Sequence, residues 1–258
     1  MCPDSFAEDT PLIVPDWPAP ERVRAFSTTR LGGVSTGRWG ALNLGGHVGD
    51  DPSRVHHNRE RLARWCALEP ERFGWLNQVH GVGVATLPVA GVPDADAAVA
   101  GSPGQVCVVL TADCLPVLFC NRQGTRVAAA HAGWRGLASG VLARVVTALG
   151  EPAELMAWLG PAIGPAAFEV GPEVKEAFVQ HDPDAEAAFT CGGARPGHLM
   201  ADLFQLARLQ LRALGVRHIY GGDFCTWSDA ERFYSYRRDG QTGRMASGIW
   251  IDASGRID

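Results

Sequence analysis

Apolar residues in this chain fall into many short runs and only a few helical stripes. The runs at 106–110, 115–119 and 127–130 are apolar, several of them β-branched, and bounded by turn residues, which predicts buried strands. The runs at 23–29, 155–159, 216–220 and 249–251 read the same way, and 73–87 reads as one or two strands broken at 77–81. Val55, Leu62 and Cys66 mark one face of a helix over about 53–68, with Asp51 as N-cap and Pro52 in its first turn. Leu137, Val141, Leu142, Val145 and Leu149 predict a second helix, ended by Gly150. Pro172 opens a third to about Gln180, and Leu199, Leu203, Leu206, Leu211 and Leu214 predict a fourth, closed by Gly215. Segments 30–37, 43–52, 94–98 and 181–197 are polar or glycine-bearing and predict loops, and the proline-rich start at 1–20 predicts an irregular arm. Strands outnumber helices at irregular spacing. That favours mixed sheets covered by helices over a regularly alternating parallel fold.

Composition narrows the function classes. The chain of 258 residues is 46% hydrophobic and 20% charged, an ordinary globular balance able to bury a sizeable core. A net charge of −5 argues against a general nucleic-acid surface. No run reaches membrane-spanning length, and the first residues lack the basic start and apolar stretch of an export signal. The seven cysteines are an odd count, and Cys66, Cys107 and Cys120 sit inside apolar runs as small buried hydrophobes. The expectation is a cytoplasmic protein with free thiols, without membrane or nucleic-acid partners.

Candidate chemistry sits where apolar runs meet turns. His80, Cys114 and His131 each occupy such a junction, where strand ends give the precise placement a site needs. Two imidazoles and a thiolate that converge make a three-ligand zinc site with one position open, as a catalytic zinc requires. Such an ion would keep Cys114 deprotonated and acidify a bound water. The competing reading is one buried thiol and two unrelated histidines, since the sequence spacing matches no compact zinc-finger pattern. Asp113 reads as a group that orients a histidine or acts as acid/base, or else as a turn residue. Arg30, Arg135, Arg237, Arg238 and Arg244 lie in glycine-bearing segments suited to an anion, with Arg30 and Arg237 the first choices for phosphate. Asn43 and His47, in the second glycine loop, are candidate substrate contacts. The aromatics at 233–240 offer a stacking surface beside arginines or, alternatively, a strand with one aromatic face inward.

Five motifs then carry a family resemblance: Asn77-Gln-Val-His-Gly81, Thr111-Ala-Asp-Cys-Leu-Pro116, Ala130-His-Ala-Gly-Trp-Arg-Gly136, Gly160-Pro-Ala-Ile-Gly-Pro165 and Ser235-Tyr-Arg-Arg-Asp-Gly240. In this order they resemble the YfiH/YlmD family, also called multicopper polyphenol oxidase (laccase)-like or peptidoglycan editing factor. The resemblance runs from about Val23 to Ile251. It implies an α/β (α+β) fold, a single-domain α/β/β/α layered sandwich with mixed sheets spanning 21–258. It also implies a metal on His80, Cys114 and His131. The activity it implies is that of a zinc-dependent purine nucleoside enzyme: phosphorolysis of adenosine, inosine and methylthioadenosine, and deamination of adenosine. The fourth motif commonly continues with cysteines, whereas here it runs Pro165-Ala-Ala-Phe-Glu169, so no thiol chemistry is expected at that loop.

Other readings stay open. Multicopper oxidases hold their cluster with H-x-H pairs, and the eight histidines here form none, although a single His2Cys copper site is chemically allowed. Cys114 with a histidine base would make a cysteine hydrolase or amidase, in keeping with the peptidoglycan-editing name. A metal-binding module without catalysis is the third.

Overall fold

The structure, a computed structural model, describes residues 11–253. Two sheets stack face to face. The first has five strands in the order Leu12–Ile13, Val23–Thr28, Met245–Ile251, Val106–Thr111 and Phe73–Gly74, antiparallel except for the last pair. The second has six, in the order His218–Gly221, Leu155–Leu159, Leu115–Asn121, Val127–Ala132, Ala97–Ala100 and Val84–Leu87, with parallel pairs only at its two edges.

Side-chain alternation sorts these strands into layers. Cys107 and Val109 point into the space between the sheets, where Leu118, Cys120, Val127, Ala129 and Trp158 meet them. Val106, Val108 and Leu110 point the other way, onto Leu62 and Ala63 of the helix Pro52–Trp65 and its C-cap Cys66. Leu115, Val117, Ala128 and Ala130 face the helices Val141–Leu149 and Leu203–Ala213. The result is helix, sheet, sheet, helix: the expected α/β/β/α sandwich of mixed sheets. Val106–Thr111 and Leu115–Asn121 read as continuous apolar runs because both of their faces are covered. Among the described residues no helix is long and apolar enough to cross a membrane.

Several local expectations shift. The loop at 94–98 gives way to the strand Ala97–Ala100, whose alanines have little intrinsic strand preference but lie paired between two neighbours. The fourth helix starts at Leu203, not Leu199. Asp202 caps it through the Gln205 amide, and Leu199–Ala201 is instead the middle strand of a small sheet with Glu169–Val170 and Phe189–Cys191. That sheet also takes the middle of the loop expected over 181–197. The helix beginning near 137 is two helices, Trp134–Ala138 and Val141–Leu149, parted at Gly140 with φ +91°. Within the expected arm, Leu12–Ile13 pairs with the edge of the first sheet, while residues 1–10 lie outside the described residues.

Candidate metal centre and substrate cavity

The strand Val106–Thr111 belongs to one sheet and Leu115–Asn121 to the other, so the chain changes layer at Ala112-Asp113-Cys114. This puts Cys114 at the edge of the space between the sheets. The register pairs Pro116 with His131, which brings the end of Val127–Ala132 alongside. His80 arrives from the turn that interrupts the 73–87 run. Gln78 fixes that turn like a strand partner, its Nε2 donating to Leu110 O at 2.8 Å and its Oε1 accepting from Leu110 N at 2.7 Å. His80 and Asp113 both have left-handed backbone, φ +58° and +89°, a conformation that costs a non-glycine residue about 1–3 kcal/mol and concentrates at functional sites.

The three sequence candidates therefore converge. One ligand atom from each of His80, Cys114 and His131 lies within 4.8 Å of the others, and Cys114 Sγ is 3.9 Å from His80 Nε2. Atoms sharing a tetrahedral zinc at ~2.0–2.3 Å are roughly 3.3–3.8 Å apart, so the cradle needs only a small contraction around an ion. Gly133 shows that the space is kept clear. A Cβ there would stand 3.0 Å from Cys114 Sγ and 3.1 Å from His80 Cδ2, inside the cradle. His131 is buried and His80 exposed, so the site is anchored on one side and open on the other. The donor set and the space both fit a zinc-type ion.

Asp96 organises this centre. Fully buried, it accepts the His131 Nδ1 proton at 2.8 Å, leaving Nε2 for the ion. It also accepts the backbone amides of Val79 at 3.2 Å, His80 at 2.9 Å and Gly81 at 2.6 Å. One carboxylate thus holds both histidines. Burial by itself would raise the Cys114 thiol, but His131 and His80 beside it hold it well below the ordinary thiol range. Burial by itself would lower the His131 imidazole, and Cys114 and Asp96 reverse that and raise it. Without a metal these opposite shifts favour a thiolate beside an imidazolium.

The role of histidine orienter expected of Asp113 is filled by Asp96. The Asp113 carboxylate accepts from Thr226 Oγ1 at 2.7 Å and from the Arg237 backbone amide at 2.6 Å, and its carbonyl accepts from Ile163 N at 2.9 Å. It ties three segments to the residue next to Cys114. Asp96 was hidden in an apparent acidic loop. Its one sequence signal is a carboxylate entering the apolar run 97–100, where a lone charge must find partners.

The centre opens on a cavity of about 480 Å³. His47, Asp113, Arg135, Arg237 and Arg244 line it as expected, joined by Gln78, Trp134, Phe168 and Tyr236. Three candidates, Arg30, Asn43 and Arg238, are absent from this lining; Arg238 is spent on Asp239 and on the carbonyls of Thr226, Trp227 and Phe233. Arg30 spends its guanidinium on Gly40 O and Ala230 O and stacks on the Tyr234 ring at 4.7 Å. Asn43 is fully buried in a polar network behind the His47 loop. The segment 233–240 is no strand: Tyr236–Asp239 is a helical turn capped by Ser235, and it presents Tyr236 and Arg237 to the cavity. Burial, then Arg244 and Arg59, lowers the His47 imidazole, which favours the neutral ring.

This layered fold has known counterparts. Residues 24–252 match the family described as multi-copper polyphenol oxidoreductase laccase, and the chain belongs to that family. Its relatives include a purine nucleoside phosphorylase of Pseudomonas aeruginosa, 56% identical over 240 residues that cover 93% of this chain and 98% of that protein. The purine nucleoside phosphorylase YfiH of Escherichia coli is 55% identical over 245 residues, covering 93% and 98%. Among solved structures, a Neisseria meningitidis protein matches with a TM-score of 0.90 at 51% identity, covering 95% of this chain and all of that one. YlmD of Geobacillus stearothermophilus gives 0.85 at 32% identity, covering 97% and 100%.

Proposed function

We propose that this protein is a zinc-dependent purine nucleoside phosphorylase that acts on adenosine, inosine and methylthioadenosine and also deaminates adenosine. The observation that carries this reading is one cavity lined by the metal-capable triad, by aromatic side chains and by Arg135, Arg237 and Arg244, of which Arg237 and Arg244 each spend one Nη on backbone carbonyls. Among the described residues Arg135, Arg237 and Arg244 pair with no carboxylate, which leaves their charge for a phosphate. Trp134, Phe168 and Tyr236 supply flat apolar surface for a purine. The names of the relatives support the same class.

In phosphorolysis the arginines hold inorganic phosphate on the ribose side of the cavity. A phosphate oxygen attacks C1′, the C1′–N9 bond breaks, and its electron pair leaves with the base, which takes up a proton. His47 lines the cavity and, among the described residues, its ring makes no hydrogen bond, so it can move that proton. A zinc ion on His80, Cys114 and His131 supplies Lewis acidity to a substrate heteroatom. In deamination the same cavity exchanges the amine at C6 for water with release of ammonia. The protein works in the cytoplasm, a reading supported by the six described cysteines, all of them free.

The test combines elemental analysis of the purified protein with a nucleoside panel, with and without phosphate. The expected result is about one zinc per chain and phosphate-dependent release of free base. Zinc without turnover of any nucleoside would end the enzyme reading, and copper with phenol oxidation would favour the laccase one. The thiolate–imidazolium pair also permits a cysteine hydrolase. Alkylation separates the two, because a metal-bound Cys114 is protected until the metal is chelated whereas a free nucleophile reacts at once.

A further inference from the structure

The two cavity groups nearest in character to a phosphate handler, His47 and Arg244, come from opposite ends of the chain, and a buried asparagine joins them. Asn43 is 0% exposed, and its amide is fully used. Its Oδ1 accepts from Gly45 N at 3.0 Å and from Arg244 N at 2.9 Å. Its Nδ2 donates to Asp50 Oδ2 at 2.9 Å and to Gly45 O at 3.2 Å. Two acceptor and two donor positions are the whole capacity of the group, so none is left for a ligand.

The surroundings make this junction stiff. Asn58, also 0% exposed, reaches from the helix Pro52–Trp65 to Asn43 O at 2.9 Å and to Ser35 Oγ at 2.9 Å. Ser35 in turn donates to Asp50 Oδ2 at 2.6 Å. The Leu44 carbonyl takes both Nε and Nη2 of Arg59, whose guanidinium lies 3.9 Å over the Trp75 ring. Leu44 N also donates to Arg244 O at 3.1 Å, and a Cβ on Gly45 would strike Arg244 Cγ at 2.8 Å. The His47 loop and the approach to the strand Met245–Ile251 are therefore packed as one body, through a network in which every buried polar group is satisfied.

We propose that Asn43 is a positioning residue that locks the His47 loop to Arg244, so that both groups face the metal centre as a unit in the anion-binding part of the cavity. This rests on the phosphorylase reading for its consequence in catalysis and on the network alone for its geometry. Losing the lock lets Arg244 and His47 drift apart. Phosphate capture then suffers, while the metal centre, held separately by Asp96, does not.

The experiment uses the metal-loaded full chain. Asn43→Asp keeps the acceptor for the Gly45 and Arg244 amides but sets a carboxylate against Asp50 Oδ2 and Gly45 O, which forces the junction apart, and Asn43→Asp with Asp50→Asn restores a donor–acceptor pair between the two side chains. The wild type, both variants, Arg244→Ala and Asn43→Asp with Arg244→Ala are compared for metal content, circular dichroism, the Kd for inorganic phosphate and the KM and kcat of inosine phosphorolysis. The expected result is a folded Asn43→Asp protein with full metal and about tenfold or more weaker phosphate binding, seen in KM for phosphate before kcat. The double swap recovers most of it, and in the Arg244→Ala background the Asn43 change costs less than about threefold. An undiminished, additive loss in the Arg244→Ala background, or no recovery on swapping, overturns the proposal. If the wild type binds phosphate but turns over no nucleoside, the phosphorylase reading fails, and the phosphate Kd values still decide the role of Asn43.

Discussion

Cys107 and Cys120 lie in the middle of the space between the two sheets, and Cys114, between them in sequence, lies at its edge. The first two are fully buried among Val109, Leu118 and Val127, and burial raises both thiols, that of Cys120 to about 12. Cys114 is shifted the opposite way by His131 and His80. The same residue type is an inert packing group within the two strands and a strongly acidified thiol in the connection between them. The lesson is that the layered core and the site are one construction. The sheets supply a dry interior, and the site is the rim where the strands end and polar groups enter.

This contrast can be broken by substitution. Cys114→Ala should abolish metal retention and lower inosine phosphorolysis about 1000-fold or more, read by elemental analysis and base release. Cys107→Ala and Cys120→Ala should keep both, and a Cys114→Ala protein that keeps its zinc and its rate would dissolve the distinction. Gly133→Ala places a methyl group inside the cradle and should weaken zinc binding by about 100-fold in a chelator competition, with the fold intact by circular dichroism. Asp96→Asn removes the charge behind His131 and should cost about 10- to 100-fold in zinc affinity by the same measurement.

A pH experiment sharpens the comparison. In metal-free protein the depressed Cys114 thiol stays ionised below the pH at which an ordinary thiol protonates. Its alkylation should therefore be fast at pH 7 and slow only as the pH falls through the depressed value, while Cys107 and Cys120 remain unmodified in the folded chain. Equal labelling of all three, followed by peptide mass analysis, would show that the rim is not special. The smallest effect is on stability: Cys107→Ala or Cys120→Ala should cost about 1–2 kcal/mol for the small cavity left behind, measured by urea unfolding.

Much of this was legible in the residue order. Short apolar runs identified the central strands, and the helix Pro52–Trp65 announced itself through Asp51 and Pro52. His80, Cys114 and His131 stood out because each interrupts or ends such a run. Arg30 and Asn43 looked like Arg237 and His47, since a polar residue in a glycine loop gives the same signal whether it faces a ligand or a carbonyl. Asp96 gives little local signal because its partners, His131 and the amides of 79–81, are distant in sequence.

By itself the sequence determined the layers and the reactive residue types, because hydrophobic periodicity is a local property of the chain. The tertiary structure alone decided which of those residues meet. Strand register set His131 beside Cys114, the change of sheet at 112–114 brought both to the rim, and Asp96 drew His80 in. Such placement depends on contacts between segments far apart along the chain, to which no local pattern is sensitive.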